Sequence, residues 1–167
     1  MNTTEVERSV PAARRAFLSA DSAVPALIVL LAVVFLTFHL PYLPASLEDL
    51  DSINFALGVR HFDVAQHQPH PPGYPLFILA GKAAHALIPS EAKALAVVSI
   101  FAGALGVLAI AALFRGWDGL QTVPSNRSTA WPIAATALTV TCPLYWFTAA
   151  RPLSDVTGLA AAVRCRR

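Results

Sequence analysis

The sequence predicts an all-α, polytopic membrane protein, and three observations predict it. Of 167 residues, 56% are hydrophobic and 13% charged, against about 45–50% and about 25% in ordinary soluble domains. The scarce charge is unevenly spread, with none between Lys93 and Arg115 or between Arg127 and Arg151. Apolar stretches of about 20 residues, when helical, match the thickness of a bilayer core. The same figures exclude a disordered chain and a disulfide scaffold. The net charge is +2, with no basic run beyond Arg14-Arg15 and the terminal Arg164-Cys165-Arg166-Arg167, which excludes a nucleic-acid-binding surface. Cys142 lies inside an apolar stretch and Cys165 near the end, so neither pairing nor thiolate metal binding is expected. At about 20 residues per span, the length accommodates four to five hydrophobic segments and one substantial loop.

Residues 1–23 are polar and mixed in charge, and form a cytoplasmic N-terminal segment ahead of a membrane module over 24–163. The first apolar run, from Val24 to about Leu40, closes at Pro41 and Pro44. It is too long for a signal-peptide core and no A-x-A site follows it, so a retained anchor is expected. Arg8, Arg14 and Arg15 before it place the N-terminus in the cytoplasm and the next loop outside.

That outer loop, 41–70, concentrates Glu48, Asp49, Asp51, Asp63, His61, His67 and His70, with Arg60 as its only Lys or Arg. Ser46-Leu47-Glu48-Asp49 reads as a capping box opening a short helix to about Arg60. At about 100° per residue, Leu50, Ile53 and Leu57 share one face while Glu48, Asp51 and Phe55 share the other. The expectation is an amphipathic helix lying on the membrane surface with its carboxylates above it. His70-Pro71-Pro72-Gly73-Tyr74-Pro75 follows, where prolines favour extended backbone and then a helix start.

The apolar stretch 75–88 is short and carries Lys82 and His85. A further span is expected from Ala94 to Phe114, with Ser99, Ala102, Gly103 and Gly106 offering a close helix–helix contact. After a polar loop over 115–129, another runs from Ala130 to Ala150, broken by Pro143. Trp117, Trp131, Tyr145 and Trp146 are read as interfacial anchors. Val156 to Val163 begins a last apolar run that stops after eight residues in the basic tail 164–167. Such a run cannot cross a bilayer. The expectation is therefore the N-terminal part of a longer protein, cut by truncation or a frame change and inactive alone.

Two topologies fit. If every run crosses, Lys93 and Arg151 join the N-terminal arginines inside; if 75–88 is a re-entrant half-span, Arg115 and Arg127 do. Both collect equal basic charge, so the positive-inside rule does not choose. Asp155 faces the cytoplasm in the first and shares the outer side with Asp51 in the second.

For chemistry, Asp51 stands out as a carboxylate able to act as a general base on an acceptor hydroxyl or amine. The plainer alternative is that the loop carboxylates solvate and cap the helix. His67-x-x-His70 has zinc-ligand spacing, yet the prolines at 69 and 71 disfavour a preformed turn. No metal site is assigned, and a divalent metal stays open as a cofactor. Asn2-Thr3-Thr4 and Asn126-Arg127-Ser128 match the glycosylation sequon without carrying weight.

Asp51-Ser52-Ile53-Asn54-Phe55-Ala56-Leu57-Gly58-Val59 followed by His70-Pro71-Pro72-Gly73-Tyr74-Pro75-Leu76-Phe77 resembles the first outer loop of polytopic glycosyltransferases of the GT-C fold. It is most similar to protein O-mannosyltransferase-like members and bacterial relatives of glycosyltransferase family 39. The resemblance spans about residues 24–160, with its specific part at 47–77. It implies a glycosyltransferase in the bacterial inner (plasma) membrane, transferring a sugar from a polyprenyl-phosphate donor to a protein, lipid or glycan acceptor. By resemblance Asp51 is the catalytic acid position, and Glu48 and Asp155 are candidates for the second carboxylate that many members carry beside it. Here Ser52 stands in that place. Arg60, His70, Tyr74, Lys82 and Arg151 are candidates for contact with the donor phosphate or substrate, Lys82 having snorkelling as its alternative role. The rival is a non-enzymatic polytopic protein, an assembly subunit or a transporter fragment. The interruptions at 71–75 and Pro143 do not form the matched pair that a transporter repeat would show.

Overall fold

The computed structural model describes residues 12–119 and 130–164. Every regular element among them is helical: α1 Ala12–His39, α2 Leu50–Arg60, α3 Pro75–His85, α4 Glu91–Gly119, α5 Trp131–Val140, α6 Pro143–Ala149 and α7 Asp155–Arg164. Short 3-10 turns occupy Leu40–Tyr42 and Val64–Gln66.

Two helices are long and apolar enough to cross a membrane, over Ala23–Tyr42 and Glu91–Trp117. Only 28% and 44% of those stretches is buried against protein. A soluble core helix would be mostly covered, whereas here Leu27, Leu30, Val33 and Phe38 of α1 and Phe101, Leu105 and Leu113 of α4 face outward. Such an apolar outer surface suits lipid. α1 begins at Ala12, within the polar segment that precedes the expected anchor, and continues through Pro25. The expected N-terminal sequon, Arg8, the 126–128 sequon and Cys165 lie outside the described residues.

α4 is the axis of the fold and packs against all the other helices. α1 buries Val24, Ile28, Ala32, Phe35 and His39 on one stripe against it. Phe35 meets Gly103, and Val24 and Ile28 cluster with Ala111, so the two helices run antiparallel. A Cβ at Gly103 would sit 2.8 Å from the Phe35 ring, which shows why the small residue is there. The expected break at Pro143 is present: α5 stops at Val140 and α6 restarts at Pro143. Together they run back along α4, Ile133 packing beside Ala111 and Ala149 reaching Gly103. α7 then runs parallel to α4, with the Ser99 hydroxyl donating to the Leu153 carbonyl at 2.9 Å and Ala160 near Gly106.

α3 has 11 residues, about 16 Å, shorter than the thickness of a bilayer core. It does not separate α1 from α4, which are antiparallel neighbours. Asp155 therefore stands at the same end of α4 as α2, and Leu153 packs into the cluster around Phe55.

Of the aromatic residues expected at an interface, Tyr145 is buried and Trp146 half-buried. Tyr145 is 6% exposed and its hydroxyl donates to the Gly103 carbonyl at 2.6 Å. Trp146 stacks beside His39, whose ring nitrogens face the carbonyls of Phe35 at 2.7 Å and Trp146 at 3.0 Å. Position near a proline break misled here, because α6 turns that face onto α1 and α4. Trp117 and Trp131 do lie exposed, at the opposite end. Tyr145→Phe removes one buried hydrogen bond, worth about 1 kcal/mol. The expected result is a melting temperature about 2–4 °C lower in a thermal scan.

Candidate functional site

α2 starts from a reciprocal cap. The Asp49 carboxylate accepts from the Ser52 N–H at 2.7 Å, and the Asp49 N–H donates back to the Ser52 hydroxyl at 3.3 Å. The expected box at Ser46–Asp49 is thus displaced by one step of three residues, since Asp49 is the cap and not its partner. Glu48 consequently lies outside the helix, and the shared face that paired it with Asp51 does not exist. Asp51 occupies the first turn, where the helix dipole favours a negative charge.

The face expected to be apolar and the face that packs are different. Leu50, Ile53 and Leu57 are exposed, while Ser52, Phe55, Ala56 and Val59 are buried. Phe55 meets Phe77 ring to ring at 5.1 Å, and Val59 approaches Gly81, so α2 and α3 run side by side in the same direction. Gly81 in turn abuts Leu95, and His85 lies 4.0 Å from Glu91, making α3 antiparallel to α4. α2 therefore packs beside α3 against the first half of α4, with Leu50, Ile53 and Leu57 turned outward.

Between α2 and α3 the chain folds tightly. Asp63 and Gln68 form an isolated bridge, and the Asp63 carboxylate accepts from the N–H groups of Ala65 and Gln66 at 3.0 and 3.3 Å. That gives Asp63 a structural role. The peptide bonds 68–69 and 71–72 are cis, and the Gly73 N–H donates to the His70 carbonyl at 3.0 Å. The expected extended backbone is in fact a turn of the type that carries a cis proline at its third position. Gly73 has φ 91°, and a Cβ there would lie 2.8 Å from Val64, so conformation and space both call for glycine.

This turn brings His70 back over α2. His70 Nδ1 lies 3.7 Å from the Asp51 carboxylate. The His70 ring packs 5.5 Å from Phe55 and 5.3 Å from Tyr74, and Phe55 and Tyr74 are edge-on at 5.3 Å. Asp51 is open to solvent on its other side, with 59% of its side chain exposed against 26% for His70. Three of the expected site residues, Asp51, His70 and Tyr74, thus form one cluster on a floor of Phe55. Phe55 had been read only as the far side of a helix, and no local pattern marks a ring whose partners lie across a turn.

The remaining candidates lie elsewhere. Arg60 is at the other end of α2, nine residues or about 13 Å from Asp51. Its guanidinium pairs with Glu91 at 2.6 Å, and that hydrogen bond raises its already high pKa. Arg60→Ala is expected to leave thermal stability and any activity at Asp51 close to wild type, because the lost pair is solvent-exposed. Lys82 is exposed in the last turn of α3. Arg151 is exposed in the turn before α7, and Asp155 is exposed in its first turn. No direct contact links Lys82, Arg151 or Asp155 to Asp51 among the described residues. No group of three or more His, Cys, Asp or Glu side chains among the described residues could hold a metal ion together.

Compared with protein-family models, curated proteins and solved structures, the chain has no match in any of the three.

Proposed function

We propose that the protein is an integral-membrane glycosyltransferase module that moves a sugar from a polyprenyl-phosphate donor to a hydroxyl or amine acceptor at the outer face. The observation that carries this reading is the Asp51 carboxylate, solvent-open on one side and held beside His70 and Tyr74, where α2 and α3 pack along the first half of α4. A general base of this kind needs access to the acceptor and a fixed orientation, and the cluster supplies both. α1, α4 and the broken α5–α6 pair are the proposed spans. Arg14 and Arg15 at the start of α1 and Arg115 late in α4 lie toward the opposite end, which by the positive-inside preference is the proposed cytoplasmic end. In the proposed reaction Asp51 accepts the acceptor's proton as its oxygen or nitrogen attacks the anomeric carbon. The bond to the polyprenyl-phosphate oxygen breaks, and the phosphate leaves with the electron pair. Tyr74 and His70 border the place where the sugar would sit.

The test uses native membranes from cells carrying the unaltered chromosomal gene, a deletion, or Asp51→Asn. Labelled polyprenyl-phosphate hexoses are supplied, and label is followed into protein, lipid and glycan fractions. A transfer that disappears in both altered strains supports the reading. Transfer that vanishes on deletion but persists with Asp51→Asn removes Asp51 from the chemistry, and no change on deletion removes the transferase altogether.

A further inference from the structure

His70 is held in a way its packing does not explain. Its Nδ1 atom is buried and makes no hydrogen bond. A buried polar nitrogen left so is unfavourable, and the carboxylate of Asp51 stands 3.7 Å from it. Packing fixes the ring: Phe55 and Tyr74 bracket it, and the turn that carries it is tied by the Gly73–His70 hydrogen bond. The Asp51 side chain, 59% exposed on the first turn of α2, has room to turn toward it. Closing the gap by about 1 Å brings the two to the length of a charge-assisted hydrogen bond, and catalytic hydrogen bonds are commonly long before substrate binds.

We infer that His70 is a positioning residue for Asp51: its Nδ1–H donates to one carboxylate oxygen and leaves the other aimed at the acceptor. This rests on the proposed function for its purpose, although the hydrogen bond itself does not. The consequence for the ring is specific. With Nδ1 as donor, a neutral His70 carries its proton on Nδ1 and keeps Nε2 free, because the partner of one nitrogen sets the state of the other. The second carboxylate oxygen, unshared, is the one that receives the acceptor's proton. Ser52, standing beside Asp51 in the chain, is already engaged with Asp49 through its N–H and hydroxyl. His70 therefore supplies the polar partner for Asp51 that its sequence neighbour does not.

The experiment is nitrogen NMR on the whole chain, labelled with 15N-histidine and reconstituted in lipid nanodiscs above the range where imidazole is charged. His70 is assigned by the signal lost in His70→Asn. His85, whose Nδ1 faces the Ile88 carbonyl at 3.1 Å, supplies an internal example of an Nδ1–H ring. The expected result is an Nδ1–H tautomer for His70 in the wild type and a shift of the proton to Nε2 in Asp51→Ala. Asp51 is exposed, so that variant keeps its fold, and unchanged His85 signals verify it. An Nε2–H tautomer in the wild type, or a tautomer indifferent to Asp51→Ala, overturns the inference. Neither readout involves sugar transfer, so the pair and the transferase reading fail separately.

Discussion

Asp51→Asn is expected to lower sugar transfer by about 10²–10⁴-fold, the usual contribution of a positioned general base, equivalent to about 3–5 kcal/mol of activation free energy. The substitution keeps the shape of the side chain and an oxygen that can accept from His70, but removes the basicity. It leaves the helix start intact, since the cap belongs to Asp49 and Ser52. The drop should therefore appear in the initial rate at saturating donor while the melting temperature stays within about 1 °C. A rate loss matched by a large loss of folded protein would point to structure instead. Arg60→Ala, at the far end of the same helix, is the companion control.

Gly58→Val is expected to have the largest effect on structure. Gly58 faces the turn that carries His70: a Cβ would stand 2.7 Å from Pro69 Cδ, 3.0 Å from Pro69 N and 3.1 Å from Ile78. One of those neighbours is backbone and another is a proline ring, so neither can swing aside. Overpacking of this kind costs about 1–3 kcal/mol. The strain would fall on the contact between α2 and the 68–73 turn, lifting His70 away from Asp51. A lower melting temperature together with loss of the Nδ1–H signature of His70 is the predicted pair of results. Gly116→Ala offers the contrast, because nothing lies within 4 Å of a Cβ there. In a helix interior that exchange is expected to stabilise by about 0.5–1 kcal/mol. Equal melting temperatures for the two variants would contradict the packing described around Gly58.

Much of the helical plan could be read from residue order. The apolar runs behind α1 and α4, the small residues at 99–106 and the stop at Pro143 are properties of short windows, and windows are what hydropathy and propensity describe. The orientation of α2 was not available in that way. Leu50, Ile53 and Leu57 have the spacing of a buried face, yet Phe55, Ala56 and Val59 are buried because Phe77 and Leu95 wait on that side. Only the tertiary partner chooses between two apolar faces. The cap shifted for a related reason: both Ser46 and Asp49 are good cap residues, and local chemistry does not rank them. The approach of His70 to Asp51 depends on two tight bends at Pro69 and Pro72, and proline spacing alone does not distinguish those bends from extended backbone. Tyr145 was misjudged because its hydroxyl partner, the Gly103 carbonyl, lies 42 residues away.

Under the proposed function, the packing of α2 and α3 beside α4 decides how two reagents of opposite solubility could meet. The Arg60, His85 and Glu91 end of the pair caps the tip of α4, whereas Asp51, His70 and Tyr74 lie at the end nearer its middle. A lipid-borne headgroup would thus come up to the carboxylate from the bilayer side without leaving its own phase. A water-borne acceptor would come in along the exposed flank of Asp51 without entering the oil. Under the proposed function the two helices would act as a post that holds the proton acceptor at the boundary between phases, where each partner arrives by its own route.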